Sequence, residues 1–394
     1  MRRLSKDFKL TVANAGLSRL GTSAFDLMIL WIVLEVTGSP LLAGLGEGLL
    51  SLPLFFSFLF GAVIDKSRRK KRIALASGAL RAASLLGVMW AAFIGSRIAL
   101  VIAIYSAALI IGLTSDVLNS IRTSWTKEFL GEEQYKTGSS LSSAVSSAFD
   151  AAGYGLAGLM VTQGYEISFL TLLSVFIVAL APLSAIRESD VQLKRSSPLE
   201  SMREGIAFIR AHRVVTEAMV VAVVVNMVFG MSGVMIAALV QQSLRLPAVY
   251  MSLLIVAIMG GGVLGSGLAS KIKGGLGKIS FASTTVAGFS SLMVGFSGSV
   301  LADAAAALVM GLSIGVLSVA LMTAFIKIIP YEMMARVQGA FNTFTLSVTF
   351  FSGAVGGALI TLAGARGSFL VVGGLVILSS TLWLAFKELA RLTV

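Results

Sequence analysis

Long apolar stretches separated by short polar connections dominate the pattern of residues along the chain. We identify twelve of them, at approximately 10–36, 40–63, 72–95, 98–124, 136–162, 165–186, 214–242, 247–270, 278–298, 301–328, 332–363 and 367–388. A helix needs about 20 residues to cross a hydrocarbon layer of about 30 Å, so each stretch is long enough. Because backbone polar groups at that depth must be paired within the segment, the pattern predicts an all-α membrane protein with twelve transmembrane helices.

Composition and charge agree with this prediction and exclude other classes. Of the 394 residues, 56% are apolar and only 13% are charged, whereas a soluble protein carries about 25% charged residues. A soluble enzyme is therefore excluded. The formal charge of +12 could suggest a nucleic-acid partner, but 26 of the 31 Lys and Arg residues lie in connections on one side of the predicted membrane. This bias predicts a multi-pass protein of the cell (inner) membrane with both termini in the cytoplasm and no nucleic-acid partner.

Two further features of the sequence bear on the functions to be considered. The chain has no cysteine and one histidine, His212, which predicts neither a metal site nor a bound cofactor. The stretch Met1–Leu10 is basic but lacks a short apolar region with a small-residue cleavage site. We therefore interpret it as a cytoplasmic tail and not as a signal peptide.

The longest polar connection divides the chain into two similar halves. It spans 187–213, and its helical spacing predicts a short amphipathic helix on the cytoplasmic surface. On either side lie two predicted six-helix bundles, 1–186 and 214–394. Glycines recur at related positions, such as Gly138 and Gly339, which indicates two pseudo-symmetric bundles. Duplicated halves are typical of secondary transporters, which bind substrate between them near the middle of the membrane. We predict a monomer.

The loop between the second and third predicted helices carries a recognisable motif. Its sequence is Gly-Ala-Val-Ile-Asp-Lys-Ser-Arg-Arg-Lys, residues 61–70. It resembles the Gly-x-x-x-Asp-Arg-x-Gly-Arg-Arg signature of the major facilitator superfamily. This superfamily is one of those whose transporters consist of duplicated halves. The resemblance implies a gate that latches the outward-facing state at the cytoplasmic surface, formed by Gly61, Asp65, Arg68, Arg69 and Arg122. The chain departs from the signature where Arg68 replaces its second glycine.

Other residues resemble a narrower group of facilitators. Asn14-x-x-x-Ser-Arg-Leu-Gly21, Trp31 and the linker 199–209 are similar to the macrolide-efflux and enterobactin-exporter type. The resemblance implies a drug-efflux antiporter that works by alternating access. Two features depart from classical drug antiporters: the stretch 105–112 lacks an arginine, and Gly153-Tyr154 stands where a Gly-Pro pair is usual.

Four charged residues lie deep in the predicted helices of the first bundle. A charge inside the membrane costs at least a few kcal/mol, so each is a candidate functional residue. Arg81 and Asp116 lie at similar depths on consecutive helices, which predicts an ion pair, and Arg19 and Asp150 are a second predicted pair. A purely structural role, in which the charges neutralise each other, stays open for these four.

Two further carboxylates are predicted to carry protons. Asp26 and Glu47 lie in the outer half of the first two predicted helices, with no cation at their level in the sequence. Burial and a neighbouring negative charge both disfavour ionisation, so we expect the two groups to bind and release protons near physiological pH. The same pair could instead attract a cationic substrate, or Glu47 could face water at the headgroups and Asp26 could only join helices.

The second bundle has no acidic residue deep in any predicted helix. Its amides, phenylalanines and methionines are candidates to line a substrate cavity, because soft and aromatic side chains suit bulky apolar ligands. The candidate cavity residues, including one from the first helix, are Trp31, Asn226, Phe229, Met235, Asn342 and Phe344. Ordinary packing between helices is the alternative role for the aromatic and methionine side chains.

These features together predict a transporter and no enzyme. The chain lacks a Gly-x-x-x-x-Gly-Lys-Ser/Thr loop and a His-Glu-x-x-His motif. We predict a proton-coupled exporter whose partners are amphiphilic small molecules, protons and the lipid bilayer. Two alternatives stay open: a lipid or lysolipid transporter, and a divalent-metal exporter resembling the ferroportins, in which Phe25-Asp26 and Phe149-Asp150 would match acidic positions. A receptor or scaffold that moves no solute is a further alternative.

Overall fold

A computed structural model of the chain describes residues 4–56, 64, 67, 69–130, 132–187, 198–269, 271–272 and 274–385. Up to the linker, its helices are α1 (Lys6–Thr37), α2 (Pro40–Ser51), α3 (Lys70–Ile94), α4 (Arg97–Phe129), α5 (Glu132–Thr162) and α6 (Tyr165–Ala185), with a 3-10 turn at Leu52–Phe56. From the linker on, they are α7 (Pro198–Ala211), α8 (Arg213–Gly230), α9 (Ser232–Ala238), α10 (Ala248–Ala269), α11 (Leu276–Phe296), α12 (Val300–Ile328), α13 (Tyr331–Ser347), α14 (Thr349–Ser380) and α15 (Leu382–Ala385), with a π-helical segment at Leu239–Leu244.

Within these residues, ten helical segments are long and apolar enough to cross a membrane, judged by length and composition. Two features explain the difference from twelve predicted stretches. The second stretch is represented by the shorter apolar segment Pro40–Phe56, because 57–63 lie outside the described residues. The last two stretches form one helical run, Arg336–Ser380, interrupted at Gly364. Its backbone has φ 74° and ψ 168°, a conformation that glycine adopts without a steric penalty and that ends one span and starts the next.

The chain divides into two compact units. The first comprises 1–37 and 49–198, and the second comprises 38–48 and 199–394. The predicted first bundle, 1–186, therefore differs from the first unit at 38–48. Small residues explain the difference, because a Cβ added to Gly44 would collide with the backbone of Gly353 on α14. Close approach of two helix backbones is possible only where such side chains are missing.

The helix α1 forms the centre of the first unit. Nineteen of its residues are buried, and it packs against α4, α5 and α6. At Gly153 on α5, an added Cβ would meet the backbone of Leu20, and at Gly21 it would meet the ring of Phe176 on α6. These close contacts bring the polar residues of α1 next to those of α5.

In the second unit, α10 and α12 pack glycine against glycine. A Cβ added to Gly261 or Gly265 of α10 would collide with the backbone of α12, and one added to Gly311 or Gly315 of α12 would collide with α10. The spacing of four residues on both helices places these glycines on facing stripes, as in other membrane helix pairs. The contact fixes α12, which carries one wall of the cavity described below.

We expect Gly261→Ala to destabilise the protein and Gly260→Ala to leave it nearly unchanged. The added methyl group at 261 would collide with the backbone of Leu308, whereas nothing lies within 4 Å of a Cβ at the adjacent Gly260. Overpacking of this kind costs about 1–3 kcal/mol. Thermal unfolding in detergent, followed by tryptophan fluorescence, measures both variants. Equal melting temperatures for the two variants would contradict the close packing of α10 and α12.

A helix, α7 (Pro198–Ala211), lies in the linker, where the sequence predicts a short amphipathic one. An ion pair between Glu204 and Arg336 joins it to α13. Gly205 lies against the backbone of Arg336, where a side chain would collide. The linker helix is therefore packed against the second unit.

Candidate functional site

An ion pair between α1 and α5 lies at the centre of the first unit. Arg19 Nη2 donates to Asp150 Oδ2 at 3.0 Å, and Arg19 Nε lies 3.0 Å from Asp150 Oδ1. Such two-pronged contacts between guanidinium and carboxylate fix the geometry of both groups. The predicted pair is confirmed, and it is accessible: the Arg19 side chain is 52% exposed and that of Asp150 is 16% exposed.

Asp26 extends this polar cluster along α1. It lies about two helical turns beyond Arg19 and about one turn beyond Ser23. Tyr154 donates its hydroxyl hydrogen to Asp26 Oδ2 at 2.6 Å, and Ser23 donates its hydroxyl to Asp150. Asp26 is half-buried, and its described hydrogen-bond partner is a neutral phenol. The carboxylate thus has a hydrogen-bond donor and, among the residues that the structure describes, no guanidinium within ion-pair distance.

Helical spacing explains why these five residues meet. On α1, Arg19, Ser23 and Asp26 follow at intervals of four and three residues, and on α5 Asp150 and Tyr154 are four residues apart. Residues at such intervals share one helix face. We call the five residues the acid cluster. Sequence reasoning found three of its members but missed Ser23 and Tyr154, although their spacing from the charged residues was a usable signal.

A second arginine connects α1, α4 and α6. Arg122 donates from Nε to Asn14 Oδ1 at 3.0 Å and from Nη1 to Asn119 Oδ1 at 3.1 Å. Asn14 in turn donates to the backbone oxygen of Ala179 at 2.8 Å. Arg122 was predicted to act in a gate. Its described partners are two amides on α1 and α4, so within the first unit it joins these helices.

Arg81 does not form the predicted ion pair with Asp116, since no nitrogen–oxygen distance between them is 4.0 Å or less. It is 1% exposed, and it donates to Thr114 at 2.8 Å and to Ser115 at 2.5 Å. Its guanidinium also lies 5.5 Å from the centre of the Phe176 ring. Depth along two helices was read correctly from the sequence, but the rotation of α4 places the hydroxyl groups of Thr114 and Ser115, and not the carboxylate of Asp116, within hydrogen-bond distance of Arg81.

Glu47 lies in the second unit, unlike Asp26. It lies on α2, within the segment 38–48 of the second unit, and this part of α2 packs on α14. Its Oε2 is buried and close to Gly353, where an added Cβ would lie 3.1 Å away. Glu47 and Asp26 thus belong to different units, and their joint action stays a prediction.

Most of the predicted cytoplasmic gate lies outside the described residues, namely Gly61, Asp65 and Arg68. Arg69 is described: it is exposed at the start of α3, and its backbone N–H donates to the Ser67 hydroxyl at 3.1 Å. The gate therefore stays a prediction.

The second unit contains a cavity of about 390 Å³ between α8, α12 and α13. Its walls carry the predicted residues Asn226, Phe229 and Asn342. Phe325 and Phe341 also line it, with ring centres 4.6 Å apart and planes at 76°. The volume falls in the range of about 300–1,000 Å³ that is typical of small-molecule sites.

The other three predicted cavity residues lie elsewhere. Trp31 is buried in the first unit, and its Nε1 donates to Glu35 at 3.0 Å. Met235 is 1% exposed on α9, beyond the end of α8, and Phe344 is 43% exposed. The helical repeat explains why Phe344 does not line the cavity. It follows Asn342 by two residues, and positions two apart on a helix point in different directions.

Two acidic residues of the second unit are more buried than the sequence suggested. Glu217, in the first turns of α8, is 6% exposed, and its Oε1 lies 3.1 Å from Arg213 Nε. Asp303 is fully buried in the first turn of α12, and its Oδ2 lies 3.8 Å from Arg366 Nη2. Neighbouring helices cover both carboxylates, which position along the sequence could not show.

Solved transporters share the fold of this chain. They include the nucleoside transporter NupG (TM-score 0.76, 10% identity, 98% of this chain and 100% of that chain). They also include a bacterial homologue of the lysosomal transporter Spinster (0.75, 12%, 98% and 98%) and a bacterial homologue of the iron transporter ferroportin (0.74, 16%, 98% and 100%). At these identities the likeness establishes the fold alone. No curated protein sequence matches the chain.

The family described as the Major Facilitator Superfamily matches residues 11–353. This range includes the acid cluster and all of the described residues that line the cavity. It confirms the predicted all-helical facilitator fold of a multi-pass membrane transporter, whereas the narrower macrolide-efflux and enterobactin-exporter resemblance stays a prediction. The chain belongs to the major facilitator superfamily.

Proposed function

We propose that this transporter is a proton-coupled exporter of amphiphilic small molecules in the cell membrane, working by alternating access as a monomer with both termini in the cytoplasm. The observation that carries the proposal is the acid cluster. In it, one carboxylate is neutralised by a guanidinium and the other, Asp26, is held by a neutral tyrosine hydroxyl.

The two carboxylates of the cluster therefore suit different roles. Asp150 is bound by Arg19 through two contacts, which pair its carboxylate with a guanidinium. Asp26 is bonded to a tyrosine hydroxyl, so it can exchange a proton without breaking an ion pair. A site that binds a proton from one side of the membrane and releases it on the other needs this property. We assign proton transfer to Asp26, with Tyr154 as its positioning residue.

The cavity of the second unit supports an amphiphilic substrate. It combines aromatic and methionine side chains with a few amides, which is the usual lining of a small-molecule site. Export is proposed from the resemblance of the first helix and linker to efflux facilitators. The cytoplasmic loop that includes Asp65 and Arg69 is proposed as the gate.

A divalent-metal exporter is less well supported by the contacts. A metal ion bound at Asp150 would have to displace Arg19 from both carboxylate oxygens. Among the described residues, no three His, Cys, Asp or Glu side chains come together to hold a metal ion. Hard cations such as Mg²⁺ and Ca²⁺ prefer several oxygen ligands.

The test is substrate flux in proteoliposomes. We expect an outward-directed proton-motive force to change the flux of an amphiphilic dye, and dye movement to acidify or alkalise the lumen in step. Lysolipid and Mn²⁺ are tested in parallel under the same gradient. Dye flux that does not depend on the pH gradient would overturn the proposal. Transport of Mn²⁺ or lysolipid without transport of the dye would also overturn it.

A further inference from the structure

The cavity between α8, α12 and α13 is lined by hydrogen-bonding groups that carry no charge, and they indicate which part of a substrate it binds. Three carboxamides line it: Asn226 on α8, and Gln338 and Asn342 on α13. They share the surface with the rings of Phe229 and Phe341. None of the described residues that line this cavity carries a charge.

These amides have hydrogen-bonding capacity to spare. Asn342 makes no hydrogen bond within the part of the chain that the structure describes, and Gln338 reaches only the sulfur of Met322 at 3.8 Å. Asn226 donates from Nδ2 to the Ala222 oxygen of its own helix at 2.8 Å, which leaves its Oδ1 as an acceptor. An amide offers both donors and acceptors, so the set can bind a partner that has both.

The same lining disfavours a charged group. An ion transferred from water into a site without a counterion loses its hydration and gains no compensating pair, which is far more costly than transfer of a neutral amide that finds a partner. A purely apolar group would leave the carboxamides without partners, and that also costs free energy. The chemistry of the walls therefore fits an uncharged group that has a hydrogen-bonding edge and a flat apolar face.

Helical spacing places the amide and aromatic residues of each wall on one helix face. Gln338, Phe341, Asn342 and Thr345 follow at intervals of three, one and three residues, which places them on one face of α13. Asn226 and Phe229 are three residues apart on α8. Amide and aromatic side chains thus alternate on both walls, and each amide has a ring beside it.

We propose that this cavity binds an uncharged aromatic group carrying a carboxamide-type edge, that is, a carbonyl next to an N–H, as part of the transported molecule. The inference rests on the proposed transport function and names the substrate class of its cavity. The protons would be handled in the first unit, and recognition of the neutral group would take place in the second.

The test is equilibrium dialysis of four matched probes with the full-length protein in detergent at neutral pH. The probes are 2-naphthamide, 2-naphthoate, 2-naphthylmethylammonium and 2-methylnaphthalene. We expect 2-naphthamide to bind about tenfold more tightly than each of the others, the effect of one or two well-made hydrogen bonds. Tighter or equal binding of the anion or the cation would overturn the proposal.

Variants locate the effect. We expect Asn342→Leu and Asn226→Leu each to weaken 2-naphthamide binding about tenfold and to leave 2-methylnaphthalene binding as tight as in the wild type or tighter, because leucine keeps the volume and removes an amide that the apolar probe leaves without a partner. Retained binding of the apolar probe also shows that the cavity has folded. The control is Thr343→Val on α13, whose hydroxyl bonds the Gly339 oxygen and does not line the cavity. Retained preference for the amide in both leucine variants would refute the assignment.

Failure of this proposal and failure of the proposed function are distinguishable. The dialysis needs no proton gradient, so uncoupled transport would leave the order of the four affinities untouched. Conversely, equal affinities for the four probes would leave the pH dependence of dye flux as it is.

Discussion

Asp26→Asn is expected to reduce flux driven by a pH gradient to the leak of protein-free liposomes while substrate exchange at equal pH continues. Asparagine has the shape of aspartate and can still accept the hydrogen bond of Tyr154, which is 2.6 Å long in the structure. It cannot take up or release a proton. Exchange of labelled for unlabelled substrate requires only that the loaded protein reorient, so it measures folding and substrate binding separately from coupling.

Two controls separate the proton from the hydrogen bond. Glu35→Gln makes the same change on the same helix at an exposed carboxylate bonded to Trp31, and we expect normal gradient-driven flux. Tyr154→Phe removes the donor but keeps the titrating carboxylate, so coupling should persist at an altered rate. If Asp26→Asn retains wild-type flux between pH 6 and pH 8, the carrier is another group and Asp26 only joins α1 to α5.

The second large effect is expected at the ion pair of Arg19 and Asp150. In Asp150→Asn, Arg19 loses its charged partner, and Asp26 is the next carboxylate of the acid cluster, two turns along α1. The freed guanidinium would then compete with protons for Asp26. We expect gradient-driven flux to fall about tenfold, the equivalent of about 1.4 kcal/mol of competing interaction. Stability should change by less than about 1 kcal/mol, because the Arg19 side chain is 52% exposed and can be hydrated.

Removal of the competing charge should reverse this loss. The double variant Arg19→Met with Asp150→Asn has neither the free guanidinium nor its partner, so we expect faster gradient-driven flux than in Asp150→Asn alone. Flux measured in proteoliposomes for the two single variants and the double variant gives the coupling between the residues. A double variant as slow as, or slower than, Asp150→Asn would indicate that Arg19 itself is needed for transport. A melting temperature that collapses in Asp150→Asn would instead indicate a structural pair.

The positions of the acidic and basic residues show how far sequence reasoning reaches. The pair of Arg19 and Asp150 followed from depth along two helices, and the structure confirms it. The same reasoning failed for Arg81 and Asp116, which also match in depth. Depth is a count of residues and can be read from a sequence, whereas a contact also depends on the rotation of each helix about its axis. For Arg81, that rotation presents Thr114 and Ser115.

Packing also decided which candidates share a cavity. Asn226, Phe229 and Asn342 line the same space, while Phe344, chosen on equal grounds of composition, is exposed on another face of α13. Tyr154 and Ser23 reach carboxylates on the facing helix because Gly153 allows α5 to lie against the backbone of α1 at Leu20. No property of either residue in isolation marked it as a partner of a carboxylate.

The sequence by itself determined the class of protein, the helical segments, the two similar halves and the family, because hydrophobic length and charge placement act locally along the chain. Only the tertiary structure decided that Asp26 meets a tyrosine, that Glu47 belongs with the second unit and that three amides converge on one cavity. These facts depend on which helix faces meet, and the facing pairs are selected by glycines and side-chain shapes on different helices. Such pairings join residues more than a hundred positions apart, as Asp26 and Tyr154 are, and the local pattern on one helix does not identify the helix that faces it.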